Sequence, residues 1–350
     1  MSIQRKHHVM SIRYPELSDL QSNDVLVVND PYHNYIECFN KHKVIIFCET
    51  YHLILLDELD ELLTLYSDIF IIILTTRRYP EKYTHRSNCK IITIMSANAW
   101  HVTQLKHVDI KFNDRQFDKY FLSLNNRAQW TRHSLFQFII NFKLIDKFYF
   151  TYRFHDRFNV GKRTLYSLMN EQSGNTWYNE SLNLESLYKL LPIKCKIDIF
   201  DWTNPWDFGI IDFYIKSFCS IVTETYIDEN FNVFLSEKTM KPLAYGHPFL
   251  LSSSAGGILQ IQNLGFQTFS AILDETYDII ESPQQRFETI FKQILEISNK
   301  SMYDIHDMYN LIKPTLEYNY NYFWNTWHNI YLNEIKLIKE EIQDLITLNT

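Results

Sequence analysis

Four short apolar runs in the first hundred residues constrain the fold more than any other feature of the chain. Each is roughly six residues long, which is the usual length of a β-strand, and each is rich in β-branched side chains. Runs that are apolar on both faces are typical of a parallel sheet covered by helices. Since Leu53–Tyr66 carries apolar residues at helical spacing, the pattern predicts an α/β domain. The four runs are Asp24–Asn29, Lys43–Cys48, Ile69–Thr75 and Lys90–Met95.

The same alternation returns later in the chain, and 350 residues exceed what one hydrophobic core usually supports. We therefore expect two Rossmann-like α/β domains, residues 1–115 and residues 116–350, facing a cleft lined by the carboxyl ends of their strands. The last helix carries an apolar stripe and is expected to cross back to the first domain. The stripe is formed by Ile335, Ile338, Ile342 and Leu345. The expected later strands are Tyr120–Leu124, Lys147–Tyr152, Ile197–Phe200, Ser220–Glu224 and His247–Leu251. The expected later helices are Ser134–Phe142, Phe208–Phe218, Ser236–Tyr245, Ile258–Leu264 and Pro283–Ser298.

Composition narrows the function classes. The formal net charge is −7, which lowers the expectation of a nucleic-acid partner, since domains that bind phosphate backbones are usually basic. The five cysteines form no C-x-x-C pair, so a zinc site or a disulfide framework is disfavoured. The most continuous apolar run, Ile69–Leu74, is far shorter than the roughly 20 residues of a membrane span.

The segment from Ser236 to Pro242 is the strongest candidate for a binding site. The start of a helix attracts anions through its backbone N–H groups and dipole. Lys238 and Lys241 lie three apart on one side of that helix, and Glu237 offers a carboxylate suited to a ribose diol. Pro242 supports a helix start here if it lies near the first turn. Together these residues indicate a nucleoside diphosphate site, although an ordinary capped helix with solvated lysines has the same pattern.

Several motifs around this segment resemble the donor-binding motif of a group of phage, giant-virus and bacterial glycosyltransferases. The Glu-Lys helix start is also similar to that of the fucosyltransferase family, which has the GT-B fold. The resemblance implies that Glu237 binds the nucleotide ribose and Lys238 the diphosphate, with Glu224, Ser236 and Lys241 in the same donor site. The motifs are Thr223-Glu224-Thr225, Ser236–Pro242, Gly246–Phe249, Leu264–Phe269 and Asp274–Asp278.

A second match lies at Leu122–Leu135, where a strand ends in L-N-x-R before a helix. In the fucosyltransferases an arginine of this region clamps the diphosphate, so the resemblance implies this role for Arg127 or Arg132. Arginine suits the role because its planar guanidinium binds phosphate oxygens two at a time. A surface ion pair is the alternative for either residue.

The sequence offers several candidates for the general base and does not choose between them. An inverting transferase needs a base for the acceptor hydroxyl, and Asp30 and Glu49 each follow an expected strand of the first domain. His101 is a third candidate. The sequence has no D-x-D in a suitable loop, since Asp57–Glu61 reads as the solvated face of a helix. We therefore expect a metal-independent, inverting transfer, with a nucleotide sugar as substrate and no cofactor.

Two other functions remain open at this point. The cations and aromatic rings between Arg153 and Arg163 could follow a nucleic-acid strand, as a viral enzyme that glycosylates a hydroxylated base in DNA would require. A sugar- or nucleotide-binding module without catalysis is the third hypothesis. For the favoured transferase the acceptor is a glycan or a lipid-linked glycan. We expect no transmembrane segment and a cytoplasmic location, in the host cytoplasm if the chain is viral.

Overall fold

The computed structural model divides the chain into two compact units. The first contains residues 1–103 together with 329–350, and the second contains residues 104–328. No helix in the described part of the chain is long and apolar enough to cross a membrane. The structure describes residues 20, 22–28, 42–48, 63–75, 86–93, 107–125, 130–152, 211–224, 227, 233 and 235–350.

The first unit contains a sheet of four parallel strands in the order β1-β2-β3-β4. All four apolar runs of the first hundred residues are strands, as predicted. The centre of the sheet is buried, with Ile45, Ile71 and Ile73 packed against Leu63. The strands are β1 (Val25–Val28), β2 (Val44–Cys48), β3 (Phe70–Thr75) and β4 (Cys89–Thr93).

The last helix, α7 (His328–Asn349), belongs to the first unit from Asn329 onward. Lys43 Nζ donates to the Thr350 carbonyl at 2.7 Å, and Lys90 pairs with Glu341 at 3.2 Å. The buried side chains of α7 are Tyr331, Ile342 and Ile346. Of the four stripe residues expected from the sequence, only Ile342 is fully buried, and the others are half-buried.

The second unit contains another all-parallel sheet, in the order β6-β5-β7-β8. The chain runs from β5 outward to β6, and then from β7 outward in the opposite direction to β8. The strand order therefore reverses between β5 and β7, which is the point where open α/β sheets bind ligands. The strands are β5 (Lys119–Leu124), β6 (Phe148–Thr151), β7 (Ser217–Thr223) and β8 (Phe249–Ser252).

The helix end expected at Phe218 is wrong. The sequence predicted a helix over Phe208–Phe218, but the helix spans Ile211–Lys216 and β7 begins at Ser217. Ser217 and Cys219 pair with Lys119 and Phe121 of β5, so the neighbouring strand overrides the helical pattern. The expected strand Ile197–Phe200 lies outside the described residues.

The helices among the described residues of the second unit are α1 (Trp130–Asn141), α2 (Ile211–Lys216), α3 (Glu237–Ala244), α4 (Gly257–Asn263), α5 (Pro283–Ser298) and α6 (Met302–Tyr322). Of these, α6 was not predicted, and α1 begins at Trp130 and not at Ser134. A π-helix at Phe323–Trp327 joins α6 to α7. Gly246 has φ +53° just after α3, which fits the left-handed cap expected there.

A buried histidine fastens β7 to the entry of β8. His247 Nε2 donates to the Ser217 carbonyl at 2.9 Å, and its Nδ1 accepts from Ser220 Oγ at 2.9 Å. Burial is the main cause that lowers the pKa of His247 to about 3, so the ring is neutral at pH 7. This histidine of the G-H-P-F motif therefore has a structural role in the sheet.

Candidate functional site

Side chains that follow β5 and β7 join the two strands where the strand order reverses. Thr223 Oγ1 donates to Asn125 Oδ1 at 2.8 Å, and Asn125 Nδ2 donates to Ser123 Oγ at 3.0 Å. The backbone N–H of Asn125 also donates to Thr151 Oγ1 of β6, at 2.9 Å. The neighbouring strands β6, β5 and β7 are therefore linked at their carboxyl ends, which fixes the geometry of this edge of the sheet.

Arg132 brings a cation to the same edge. It lies in the first turn of α1, and only 2% of its surface is exposed. Its Nε lies 3.4 Å from Thr223 Oγ1 and its Nη2 lies 3.4 Å from the Thr223 carbonyl. A nearly buried guanidinium is costly unless it has partners, so its position beside β7 is a specific feature of the fold.

Glu224, the residue after β7, holds the beginning of α3. Its Oε1 accepts from the Ser236 N–H at 2.8 Å and from Thr239 Oγ1 at 2.6 Å. Its Oε2 accepts from Ser236 Oγ at 2.5 Å. Glu224 is completely buried, and so are Ser236 and Thr239. The carboxylate therefore fixes the first turn of the helix from inside the protein.

Lys238 and Glu237 form an ion pair at the start of α3. Lys238 Nζ lies 3.0 Å from Glu237 Oε1, 3.0 Å from Ser236 Oγ and 3.9 Å from Glu224 Oε2. The Lys238 side chain is 22% exposed and that of Glu237 is 12% exposed. The ammonium thus lies between two carboxylates, and an anionic ligand would compete with Glu237 for it.

Lys241 is half-buried on the next turn of α3. Its pKa falls to about 8, mainly because burial disfavours the charged form. Lys238 lowers this pKa further, whereas Glu237 and Glu224 oppose the shift. Lys241 is therefore largely cationic at pH 7 and loses its charge just above physiological pH.

The backbone N–H groups of the α3 start are more fully used than the sequence suggested. The Ser236 N–H is bonded to Glu224, and the Lys238 N–H donates to Ser236 Oγ at 3.3 Å. Pro242 lies in the second turn of α3, not near the first turn as expected, so it removes a helical hydrogen bond. Anion attraction at this site therefore depends on side-chain cations at least as much as on backbone donors.

Two side chains from elsewhere in the same unit hold the far end of α3. Trp324 Nε1 donates to the Ala244 carbonyl at 2.8 Å, and Arg115 Nη2 donates to the Tyr245 carbonyl at 2.9 Å. Arg115 packs over the rings of Phe112 and Tyr309, and burial lowers its pKa. A cation at the carboxyl end of a helix interacts favourably with the helix dipole.

The neighbouring helix α4 begins at the same edge of the sheet but is closed to anions. Asp278 Oδ1 accepts from the Ile258 N–H at 2.9 Å, and its Oδ2 accepts from the Leu259 N–H at 3.1 Å. The protein's own carboxylate therefore occupies this helix start. Of these two helix starts, the one at α3 has the lysines and the one at α4 does not.

Six of the residues singled out in the sequence are among the described residues, five of them at or beside the α3 start and the sixth against Thr223 at the end of β7. They are Arg132, Glu224, Ser236, Glu237, Lys238 and Lys241. The other candidates, Asp30, Glu49, His101 and Arg127, lie outside the described residues, as does the basic stretch from Arg153 to Arg163. Sequence reasoning missed Asn125 and Thr223, although the L-N-x-R and T-E-T motifs contain them.

The oxygen and nitrogen atoms at this site suit a phosphate ligand with sugar hydroxyls. Among the residues that the structure describes, no group of three or more His, Cys, Asp or Glu side chains could hold a metal ion.

No protein-family model matches the chain, and no curated protein shows significant similarity to it.

Proposed function

We propose that this chain is a glycosyltransferase of GT-B-like architecture, which moves a sugar from a nucleotide donor to a hydroxyl acceptor. One observation carries the proposal: Arg132 lies against the end of β7, beside the point where the strand order reverses, and the residue that follows β7, Glu224, holds the α3 start that carries Lys238. That position is the usual ligand site of open α/β sheets. The resemblance of the surrounding motifs to glycosyltransferases supports the same assignment.

The balance of charge supports a diphosphate as the ligand. Arg132, Lys238 and Lys241 contribute three positive charges, against the two negative charges of Glu224 and Glu237. Low accessibility strengthens their attraction for phosphate relative to the same groups in water. Cations fixed before the reaction would stabilise the charge that grows on the departing diphosphate, without a metal ion.

Each residue has a distinct role in this proposal. Lys238 and Arg132 bind the diphosphate, with Lys241 adding charge, and Glu237 accepts hydrogen bonds from the ribose hydroxyls. Acceptor recognition and the general base are assigned to the first unit, where Asp30, Glu49 and His101 are the candidates. Direct displacement by an acceptor hydroxyl, with inversion at the anomeric carbon, is the expected reaction.

Binding of nucleotide sugars to matched variants tests the proposal. Lys238→Gln should weaken nucleoside diphosphate binding by about ten- to a hundredfold, because a charge-assisted contact is worth about 1.5–3 kcal/mol. Lys336→Gln is the control, since Lys336 forms an exposed helical ion pair with Glu340 at 3.7 Å. Calorimetry with nucleoside diphosphates and their sugar conjugates measures both.

Failure would be unambiguous. If no nucleotide or nucleotide sugar binds the wild-type protein, or if both variants bind equally well, the donor assignment is wrong. If a nucleotide sugar binds and is neither transferred to any acceptor nor hydrolysed, the chain is a binding module. A product that retains the donor's anomeric configuration would contradict the inverting mechanism.

A further inference from the structure

Glu224 is the least accessible acidic group at the candidate site, and its two oxygens point toward the protein. Three of its contacts come from Ser236 and Thr239, at 2.5–2.8 Å. A fourth is the Lys238 ammonium, 3.9 Å from Oε2. A fully buried carboxylate with these partners has little remaining capacity for a ligand hydroxyl.

We infer that Glu224 is a positioning residue, which sets the first turn of α3 and the place of the Lys238 ammonium without touching the ligand. The inference rests on the proposed function, in which α3 binds the donor diphosphate. It replaces the direct contact that the sequence motif implied for Glu224.

The helix has little stability of its own, so it depends on such a clamp. α3 has eight residues, and Pro242 interrupts its hydrogen bonds. Isolated helices of this length do not form in water. Glu224 joins the N-cap residue Ser236 to Thr239 through a single carboxylate, and the same carboxylate faces Lys238. Loss of its charge would therefore loosen the turn and shift Ser236 Oγ, which lies 3.0 Å from the Lys238 ammonium.

The effect of Glu224→Gln on the binding of inorganic pyrophosphate separates a positioning role from a purely electrostatic role and from a direct contact with the ribose. If Glu224 acted only through its negative charge, Glu224→Gln would tighten the binding of inorganic pyrophosphate by removing a repulsion. If Glu224 bound the ribose directly, the variant would weaken nucleoside diphosphates and spare pyrophosphate. A positioning role predicts weaker binding of both, because the amide would present a donor to the Lys238 ammonium.

The experiment measures pyrophosphate and nucleoside diphosphate affinity by calorimetry. Glu224→Gln should lose about tenfold or more for both ligands, as expected when a charge-assisted contact to phosphate is misplaced. Asp278→Asn is the matched control, since this carboxylate caps α4 in the same unit. It should lose stability and leave both affinities unchanged. Thr239→Val, which removes one contact to Glu224, should show a smaller loss in the same direction.

Hydrogen exchange provides a test that needs no ligand. Amides of residues 236–244 should exchange at least tenfold faster in Glu224→Gln than in the wild type, and Asp278→Asn should leave them unchanged. Unchanged or tighter pyrophosphate binding in Glu224→Gln would overturn the inference, and so would unchanged exchange in α3. If exchange accelerates while the wild type binds neither ligand, the proposed function fails and the clamp on α3 stands.

Discussion

Replacement of Glu237 by glutamine should change two affinities in opposite directions. Glu237 Oε1 is 3.0 Å from Lys238 Nζ, so the carboxylate competes with any phosphate for that ammonium. The variant removes the competing charge and retains the size of the side chain. Inorganic pyrophosphate should therefore bind more tightly to Glu237→Gln than to the wild type.

The size of the gain in pyrophosphate affinity follows from the exposure of the ion pair between Lys238 and Glu237. Exposed ion pairs contribute about 0.2–1 kcal/mol, and this pair is less exposed than most, with side-chain exposures of 22% and 12%. We expect a gain near the upper end, about 1 kcal/mol, which is roughly a fivefold increase in pyrophosphate affinity. A nucleoside diphosphate gains the same amount but loses a hydrogen bond from its ribose to a carboxylate, worth about 1.5–3 kcal/mol.

Calorimetric titration of both ligands into both proteins measures the difference. The preference for the nucleoside diphosphate over pyrophosphate should fall by about ten- to a hundredfold in Glu237→Gln. Glu340→Gln, which removes the partner of the exposed Lys336, should leave both affinities unchanged. Weaker pyrophosphate binding to Glu237→Gln, or an unchanged preference, would refute the assignment of Glu237 to the ribose and Lys238 to the phosphates.

Two further predictions concern pH. Burial and the charge of Lys238 lower the pKa of Lys241 to about 8, although Glu237 and Glu224 oppose the shift. Lys241 therefore loses its charge as pH rises from 7 to 9, and the affinity for pyrophosphate should fall. Lys241→Arg keeps its charge over this range, so the affinity of the wild type should fall about tenfold more than that of the variant. Parallel pH profiles of the two proteins would contradict this prediction. The pKa of His247 is about 3 in the folded protein and about 6.5 in the unfolded chain. Between these values the unfolded chain binds a proton that the folded protein does not, so the free energy of unfolding falls as pH drops below about 6.5. Urea unfolding of His247→Gln should show a shallower pH dependence, by roughly 1.4 kcal/mol per pH unit, and an unchanged slope would exclude this titration.

The α/β architecture could be predicted because buried parallel strands leave a local signal. β-branched runs such as Ile71–Leu74 are apolar whichever strand lies beside them, so they can be recognised without knowing the fold. Helix α6 was equally accessible to sequence reasoning but was not assigned. Its capping box, Ser301 with Asp304, is the local pattern that marks a helix start.

The order of strands in the second sheet could not be predicted in the same way. It depends on pairing between residues far apart, such as Phe121 with Cys219, and no local pattern specifies it. For this reason the sequence indicated a candidate binding motif at Ser236–Pro242 but not its position beside the point where the strand order reverses. The same limit applies to the end of α2, because Ser217 joins a strand through its pairing with Lys119.

The orientation of side chains at the site could not be predicted from the sequence either. Glu224 and Glu237 are both acidic residues near one helix start, yet one is buried among α3 donors and the other pairs with Lys238. A motif gives their spacing but not the direction in which each carboxylate points. The position of Pro242 shows the same limit, since the helix begins at Glu237 and the proline falls in its second turn.

A crystal structure of the protein with a saturating nucleoside diphosphate would show whether the α3 start binds the donor. We predict phosphate oxygens roughly 3 Å from Lys238 Nζ and from the Arg132 guanidinium, with a ribose hydroxyl on Glu237 and no ligand atom on Glu224. A nucleotide bound away from the carboxyl ends of β5 and β7, or no bound nucleotide at saturation, would contradict it.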